Sequence, residues 1–219
     1  MSNSATPGRP ATGDGTGQIV IISSPSGGGK TTICRELLSP ERTAAGWRFS
    51  ISYTTRGMRQ GEVNGREYFF VSDAEFDDLR ARDFFAEHFR VHMYKYGTPR
   101  QPLEDVVRSG GVMILDVDVN GAQRLQAEYP HAVTIFILPP SVRALRERLT
   151  KRGTESEDQL RVRYETALKE MSSFRAFGFQ YVVVNNTLSV AVQEVLAIVE
   201  AHKCRVENFP EEQLRNILS

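Results

Sequence analysis

The sequence predicts an α/β fold: a parallel sheet flanked by helices, carrying a small mixed α/β lobe and a charged helical segment as insertions. Three observations point there. Short, β-branched apolar runs recur along the chain, as expected of strands buried on both faces. Helical patterns separate these runs, and strand–helix alternation implies right-handed crossovers into a parallel sheet. A Gly-rich turn at 24–32 sits between the first apolar run and the first helical pattern.

Residues 1–17 hold small and polar residues and no large apolar one after Met1. Such a segment cannot bury enough surface to offset its ordering entropy, so a disordered tail is expected. The first strand is expected at 18–23, with a helix at 31–38. Further strands are expected at 48–52, 67–71, 89–94, 111–116, 133–138 and 181–184. Helices are expected at 73–81, 102–109, 121–128, 141–151, 156–174 and 188–205. Pro139 and Pro140 stop a strand, and Ser141 is a natural N-cap for the helix after them. Residues 51–98 break the alternation: strand signals crowd together with Tyr53, Tyr68, Phe69, Phe70, Tyr94 and Tyr96, which reads as an inserted, mostly antiparallel lobe. Residues 141–176 are helical and densely charged. The expected organisation is a tail (1–17), a core (18–50, 99–140, 177–207), a lobe (51–98), a second insertion (141–176) and a C-terminal helix or tail (208–219).

Composition narrows the function. The 219 residues carry 27 basic and 27 acidic side chains, for zero net charge. That argues against a nucleic-acid partner, which usually calls for a basic excess. Cys34 and Cys204 are the two cysteines, too few for a disulfide framework or a Cys-rich zinc site, and a reducing, cytoplasmic setting is expected. No run approaches the roughly 18 apolar residues of a membrane span, and the N-terminus lacks the order of a secretory leader. No membrane partner is expected; a homo-oligomer is compatible with the sequence.

The turn reads Ser24-Pro25-Ser26-Gly27-Gly28-Gly29-Lys30-Thr31-Thr32. It matches the phosphate-loop pattern G-x-x-x-x-G-K-[ST], with Ser24 replacing the first Gly. Gly27, Gly28 and Gly29 let backbone N–H groups converge on an anion, and the helix N-terminus adds partial positive charge. Lys30 can reach β- and γ-phosphates, and the Thr31 hydroxyl can approach Mg²⁺. The run 112–118 is an apolar strand ending in Asp116 and Asp118, which places a carboxylate near that metal. Asp118 reads equally well as a cap on the next helix. His88 and His92 stand four apart but do not form a zinc-protease pattern, and no nucleophile–His–carboxylate set is present.

Longer motifs resemble one family. Ser50-Ile51-Ser52-Tyr53-Thr54-Thr55-Arg56, Arg59, Gly61-Glu62, Asn64-Gly65 and Tyr68, then Phe85-Ala86-Glu87, Tyr96-Gly97-Thr98, Ile114 to Gly121, and Arg152-Gly153-Thr154-Glu155 are similar to the signatures of guanylate kinases. The resemblance spans about 18–205. It implies a P-loop NTPase-type core with a GMP-binding lobe at 51–98 and a lid at 141–176, transferring the γ-phosphoryl of ATP to GMP with Mg²⁺. It implies that Ser26, Gly27, Gly28, Gly29, Lys30, Thr31, Thr32 and Asn185 hold ATP, with Thr31 and Asp116 on the metal. Arg56, Arg59, Glu62, Tyr68, Tyr96 and Gly97 fall on the GMP side. Lys30, Arg56, Arg148, Arg152 and Arg163 supply catalytic charge, while Arg143, Arg146 and Arg161 read as solvated faces.

The chemistry agrees. A guanidinium grips phosphate through two parallel hydrogen bonds. Guanine presents N1–H and N2–H₂ as adjacent donors, which one carboxylate, Glu87, can accept, while Ser52 and Thr98 can donate toward O6. Adenine reverses that pattern. Asp118 reads as an orienter of either guanine or an arginine. Two competing functions share parts of this set: a ribose bisphosphate phosphokinase, and a non-catalytic domain that binds phosphopeptides where GMP would sit. The guanine set argues against the first; Lys30, Thr31 and the lid arginines argue against the second. A phosphate-loop GTPase lacks its Asn-Lys-x-Asp base reader here.

Overall fold

β1 (Gln18–Ser23) is buried at all six positions, as its unbroken apolar run requires. In the computed structural model, residues 17–91, 93–150, 157–208 and 211–219 are described. Gly17, expected in the tail, donates its N–H to the Val107 carbonyl, and a Cβ there would lie 2.5 Å from that oxygen. The Gly-rich turn leads into α1 (Lys30–Leu37), which buries Ile33, Cys34 and Leu37. A helix not expected from the pattern follows, α2 (Pro40–Ala44). Ser39 caps it by accepting from the Arg42 N–H, and Pro40 opens it, both ordinary helix-start signals.

Of the strand expected at 48–52, only the start is strand, in β2 (Trp47–Phe49); the next strand, β3 (Tyr53–Thr54), begins beyond it and belongs to a different sheet. After β2, Ser50 still donates to the Ile114 carbonyl; the chain then leaves the core. β4 (Phe69–Phe70) is shorter than expected. α3 (Asp73–Ala81) starts at Ser72, which accepts from the Glu75 N–H. β5 (Phe85–Val91) and β6 (Tyr94–Pro99) form a hairpin, so the expected strand at 89–94 straddles a turn. No Gly, Pro, Asn or Asp lies between the two strands to mark it.

The core resumes with α4 (Arg100–Arg108), β7 (Val112–Asp116), α5 (Val119–Glu128) and β8 (Val133–Leu138). α6 (Val142–Thr150) is capped by Ser141, whose hydroxyl accepts from the Ala144 N–H. α7 (Glu157–Ser173), β9 (Tyr181–Val184), α8 (Leu188–Lys203) and α9 (Glu211–Leu218) complete the chain. The C-terminal segment is thus largely helical, with Ile217 and Leu218 exposed.

The five core strands are parallel, in the order β2-β7-β1-β8-β9. Alternation along β1 fills both sheet faces. Val20 and Ile22 pack with Ile33, Leu37 and Val195, whereas Ile19 and Ile21 pack with Leu103, Leu115 and Leu125. Each fully buried aliphatic side chain contributes about 1.5–3 kcal/mol. The lobe sheet runs β4-β3-β6-β5 and is mixed, β3 pairing parallel with β4 and antiparallel with β6. Phe76 stacks on Phe85 at 4.6 Å, and Tyr53 meets Phe85 edge-on at 5.7 Å. A third cluster, Leu145, Leu149 and Ala167, joins α6 to α7. The ends of β1, β7 and β9 all open toward one edge of the sheet, where α/β folds bind ligands. No helix among the described residues is long and apolar enough to cross a membrane.

Candidate active site

The turn after β1 is shaped by left-handed glycines: Gly27 has φ 85° and Gly29 φ 94°, conformations that cost a side-chain-bearing residue strain. Space is also short, since a Cβ on Gly29 would lie 2.2 Å from Asn185 Nδ2. Asn185, just past β9, donates from Nδ2 to the Gly28 carbonyl at 3.0 Å. Arg148 of α6 donates to the Asn185 carbonyl at 2.8 Å and to the Gly28 carbonyl at 3.4 Å. Arg163 of α7 donates from Nε and Nη2 to the Ser26 hydroxyl at 3.2 and 2.6 Å. Two expected lid arginines therefore already touch the loop. Arg152 lies outside the described residues. A cleft of about 460 Å³ opens over the loop, and Thr32, Asp116, Asp118, Arg163, Thr166 and Glu170 are among the residues that line it.

Asp116 is the hub. Its Oδ1 lies 2.5 Å from Lys30 Nζ, and its Oδ2 accepts from the Thr31 hydroxyl at 2.9 Å. Lys30 also donates to the Val117 carbonyl at 2.7 Å, an acceptor that side-chain reasoning could not supply. Hydroxyl and carboxylate oxygens side by side suit Mg²⁺, which binds through one or two protein oxygens plus phosphate and water. Behind the loop, burial first and Asp116 second push the Cys34 thiol far up.

Across Asp116 lies a second cationic site. Arg56, 9% exposed, grips both Glu62 carboxylate oxygens, from Nη1 at 3.0 Å and Nη2 at 2.8 Å. Its guanidinium sits 5.5 Å from the ring centres of both Tyr68 and Phe70. The Arg59 N–H donates to Glu62 as well, at 2.7 Å, while the Arg59 side chain stands exposed. The Arg56 hydrogen bond pulls the Glu62 carboxyl below its usual range, against the cost of burial. Burial pushes the Tyr68 phenol to about 12, with Asp116 and Tyr96 adding to it. Tyr68 thus shares its surroundings with both Arg56 and Asp116.

Beside this site, Glu87 is 6% exposed on β5. It accepts from the Thr98 hydroxyl at 2.7 Å through Oε1. Ser52 lies 3.5 Å from Thr98 and must act as donor there, because the Thr98 proton is used. Gly97 holds β6 close, since a Cβ on it would lie 2.7 Å from the Phe85 ring. Glu87 Oε2 is buried with no partner among the described residues. Burial raises this carboxyl to about 7, helped by Asp118 and opposed by the Thr98 hydrogen bond and Arg124. Asp118 caps α5, accepting from the Gly121 N–H at 2.8 Å, and its charge is felt by Glu87 and Glu170 alike. It is both cap and site wall. His88 stands on a strand rather than a helix face; His92 lies outside the described residues.

One site residue escaped the sequence reading. Glu170 lines the cleft with Arg163 and Thr166, at i, i+3 and i+7 on α7. That spacing marks one helix face, but a charged face alone looks solvated.

The family model described as "Guanylate kinase" matches residues 16–202. A guanylate kinase of Caldanaerobacter subterraneus subsp. tengcongensis is 41% identical over 191 residues, covering 87% of this chain and 90% of that protein. One from Nitrosomonas europaea is 42% identical over 187 residues, covering 85% and 90%. The crystal structure of guanylate kinase from Anaplasma phagocytophilum superposes with a TM-score of 0.69 at 31% identity, covering 87% of this chain and 88% of that one.

Proposed function

The chain belongs to the guanylate kinase family and catalyses ATP + GMP to ADP + GDP; from that premise we propose how its residues divide the work. The observation that carries the proposal is the pair of anion sites meeting at Asp116: Lys30 and Thr31 bond it, and Tyr68, the ring under Arg56, feels its charge. The loop takes the donor phosphates and the Arg56 side takes the acceptor phosphate, so the two phosphates come together.

On the donor side, the loop N–H groups and Lys30 receive the triphosphate. Lys30 exchanges Asp116 and the Val117 carbonyl for phosphate oxygens. Asn185 and Arg148 brace the loop from the β9 side and border the adenine end. Thr31 and Asp116 are the residues that would hold Mg²⁺. When bound, the ion neutralises charge on the β- and γ-oxygens. Arg163, bonded to the Ser26 hydroxyl at the rim of the cleft, turns toward the transferring group, and Arg148 and Arg152 add charge as the lid closes. Positioning and charge carry most of a phosphoryl transfer, so no covalent step on the protein is required.

On the acceptor side, Glu62 holds one edge of the Arg56 guanidinium and thereby aims the rest at the GMP phosphate. Arg59, Tyr68 and Tyr96 complete the grip. The orphaned Glu87 Oε2 supports guanine as the base, because an ionised Glu87 offers two oxygens to N1–H and N2–H₂. Sites built on such hydrogen bonds discriminate by about 10⁴–10⁵-fold. We also place the enzyme in the cytoplasm, supported by its two free cysteines. The test of the division of labour is coupled ADP production with ATP, Mg²⁺ and GMP, with AMP as control acceptor. Glu87→Ala should raise the KM for GMP and leave that for ATP. Equal effects on both substrates would refute the assignment.

A further inference from the structure

The lid helix carries an anion into the phosphate cleft. Ala167 of α7 is fully buried against Leu145 and Leu149, which fixes the rotation of the helix. With that face locked, the adjacent Arg163, Thr166 and Glu170 line the cleft over the loop. Arg163 takes the Ser26 hydroxyl. Glu170 is half-buried, in the wall of the cleft that it shares with Ser26, Lys30 and Asp118. Burial and Asp118 work against its ionised form, while Lys30 and the Ser26 N–H favour it. One helix therefore brings to the loop both a guanidinium, bonded to the Ser26 hydroxyl, and a carboxylate in the wall of the cleft.

We propose that Glu170 is an intramolecular stand-in for phosphate, a carboxylate that occupies the Ser26 edge of the loop until the donor triphosphate displaces it. The chemistry of the seat supports this. Loop N–H groups and a lysine recognise an anion regardless of whether carbon or phosphorus carries it. A triphosphate in the same cleft lies beside this half-buried carboxylate, and like charges at that range repel, so the two anions exclude one another. Arrival of nucleotide then moves the Glu170 carboxylate out of the cleft, and the Arg163 end of the same face follows the phosphates. The empty enzyme is latched rather than open, and part of the intrinsic affinity for ATP is used to undo the latch.

The proposal rests on the loop being the donor site, which Lys30→Ala checks separately by loss of ATP binding. The test is calorimetric titration with ATP and with tripolyphosphate, each with and without Mg²⁺. It compares the wild type, Glu170→Gln and Glu165→Gln, the last removing a charge from an exposed position on the same helix. Glu170→Gln keeps the shape, and thermal denaturation verifies that it folds. The expected result is binding of both ligands tightened about five- to tenfold in Glu170→Gln and changed less than twofold in Glu165→Gln. Unchanged affinity would overturn the proposal. So would weaker binding confined to the Mg²⁺ titrations, which would make Glu170 a partner of the metal's waters instead.

Discussion

Glu87 should cost the protein stability in return for base recognition, and the cost can be measured. In the folded chain its carboxyl is raised from 4.5 to about 7, chiefly by burial. Between those two values the folded state keeps a proton that the unfolded state has lost, so stability falls as pH rises through this window. Above about pH 7 the whole cost is present. At roughly 1.4 kcal/mol per pH unit it amounts to about 3 kcal/mol. Glu87→Gln keeps an acceptor for the Thr98 hydroxyl but cannot ionise. Free of nucleotide, the variant should gain about 2–3 kcal/mol on the wild type between pH 5 and pH 8, a Tm difference growing by roughly 5–10 °C. The same variant should bind GMP at least a hundredfold more weakly, because the amide faces guanine's donors with a donor of its own. The assay is thermal denaturation at both pH values, paired with GMP titration. A Tm difference that does not change with pH, or GMP affinity that survives, would refute the reasoning.

Three further outcomes follow from the same geometry. Glu62→Gln should raise the KM for GMP about tenfold with a smaller change in kcat, since Arg56 loses its ionic anchor. A fall in KM would show instead that Glu62 competes with the phosphate. Gly29→Ala combines a φ of 94° with a Cβ placed 2.2 Å from Asn185 Nδ2. It should weaken ATP binding at least tenfold in direct titration while GMP binding changes little. A thiol reagent should label exposed Cys204 in the native protein and reach Cys34, 1% exposed, only on unfolding. Stoichiometry by mass spectrometry with and without denaturant checks this.

What the sequence disclosed depended on how each feature is encoded. β1, β7 and β8 are continuous apolar runs that could be buried strands, and the glycines of the loop announce their own geometry. The hairpin of β5 and β6 was hidden because its turn carries no Gly, Pro, Asn or Asp. α2 was hidden by its length of five residues, although Ser39 and Pro40 mark its start. Asp118 reads equally as cap and as ligand because it stands where both are served. Glu170 was illegible for a different reason. A carboxylate on a charged helix acquires meaning only once the helix is docked and its buried face, through Ala167, decides what the neighbouring face meets.

The docking of α5 on β5 has a consequence for selectivity. Gly121, in the first turn of α5, lies close to the Phe89 ring, which is 3.3 Å from where a Cβ on that glycine would stand, and Arg124 donates to the His88 carbonyl. Glu87, the proposed reader of the base, therefore belongs to the inserted lobe, and Asp118, whose charge bears on it, belongs to the core. The lobe is joined to the core by only two chain crossings, after β2 and before α4. On this assignment a guanine read by Glu87 sits at the seam between lobe and core, where α5 docks on β5. A base that Glu87 rejects fails twice: it binds weakly, and it leaves the acceptor phosphate poorly placed against the donor.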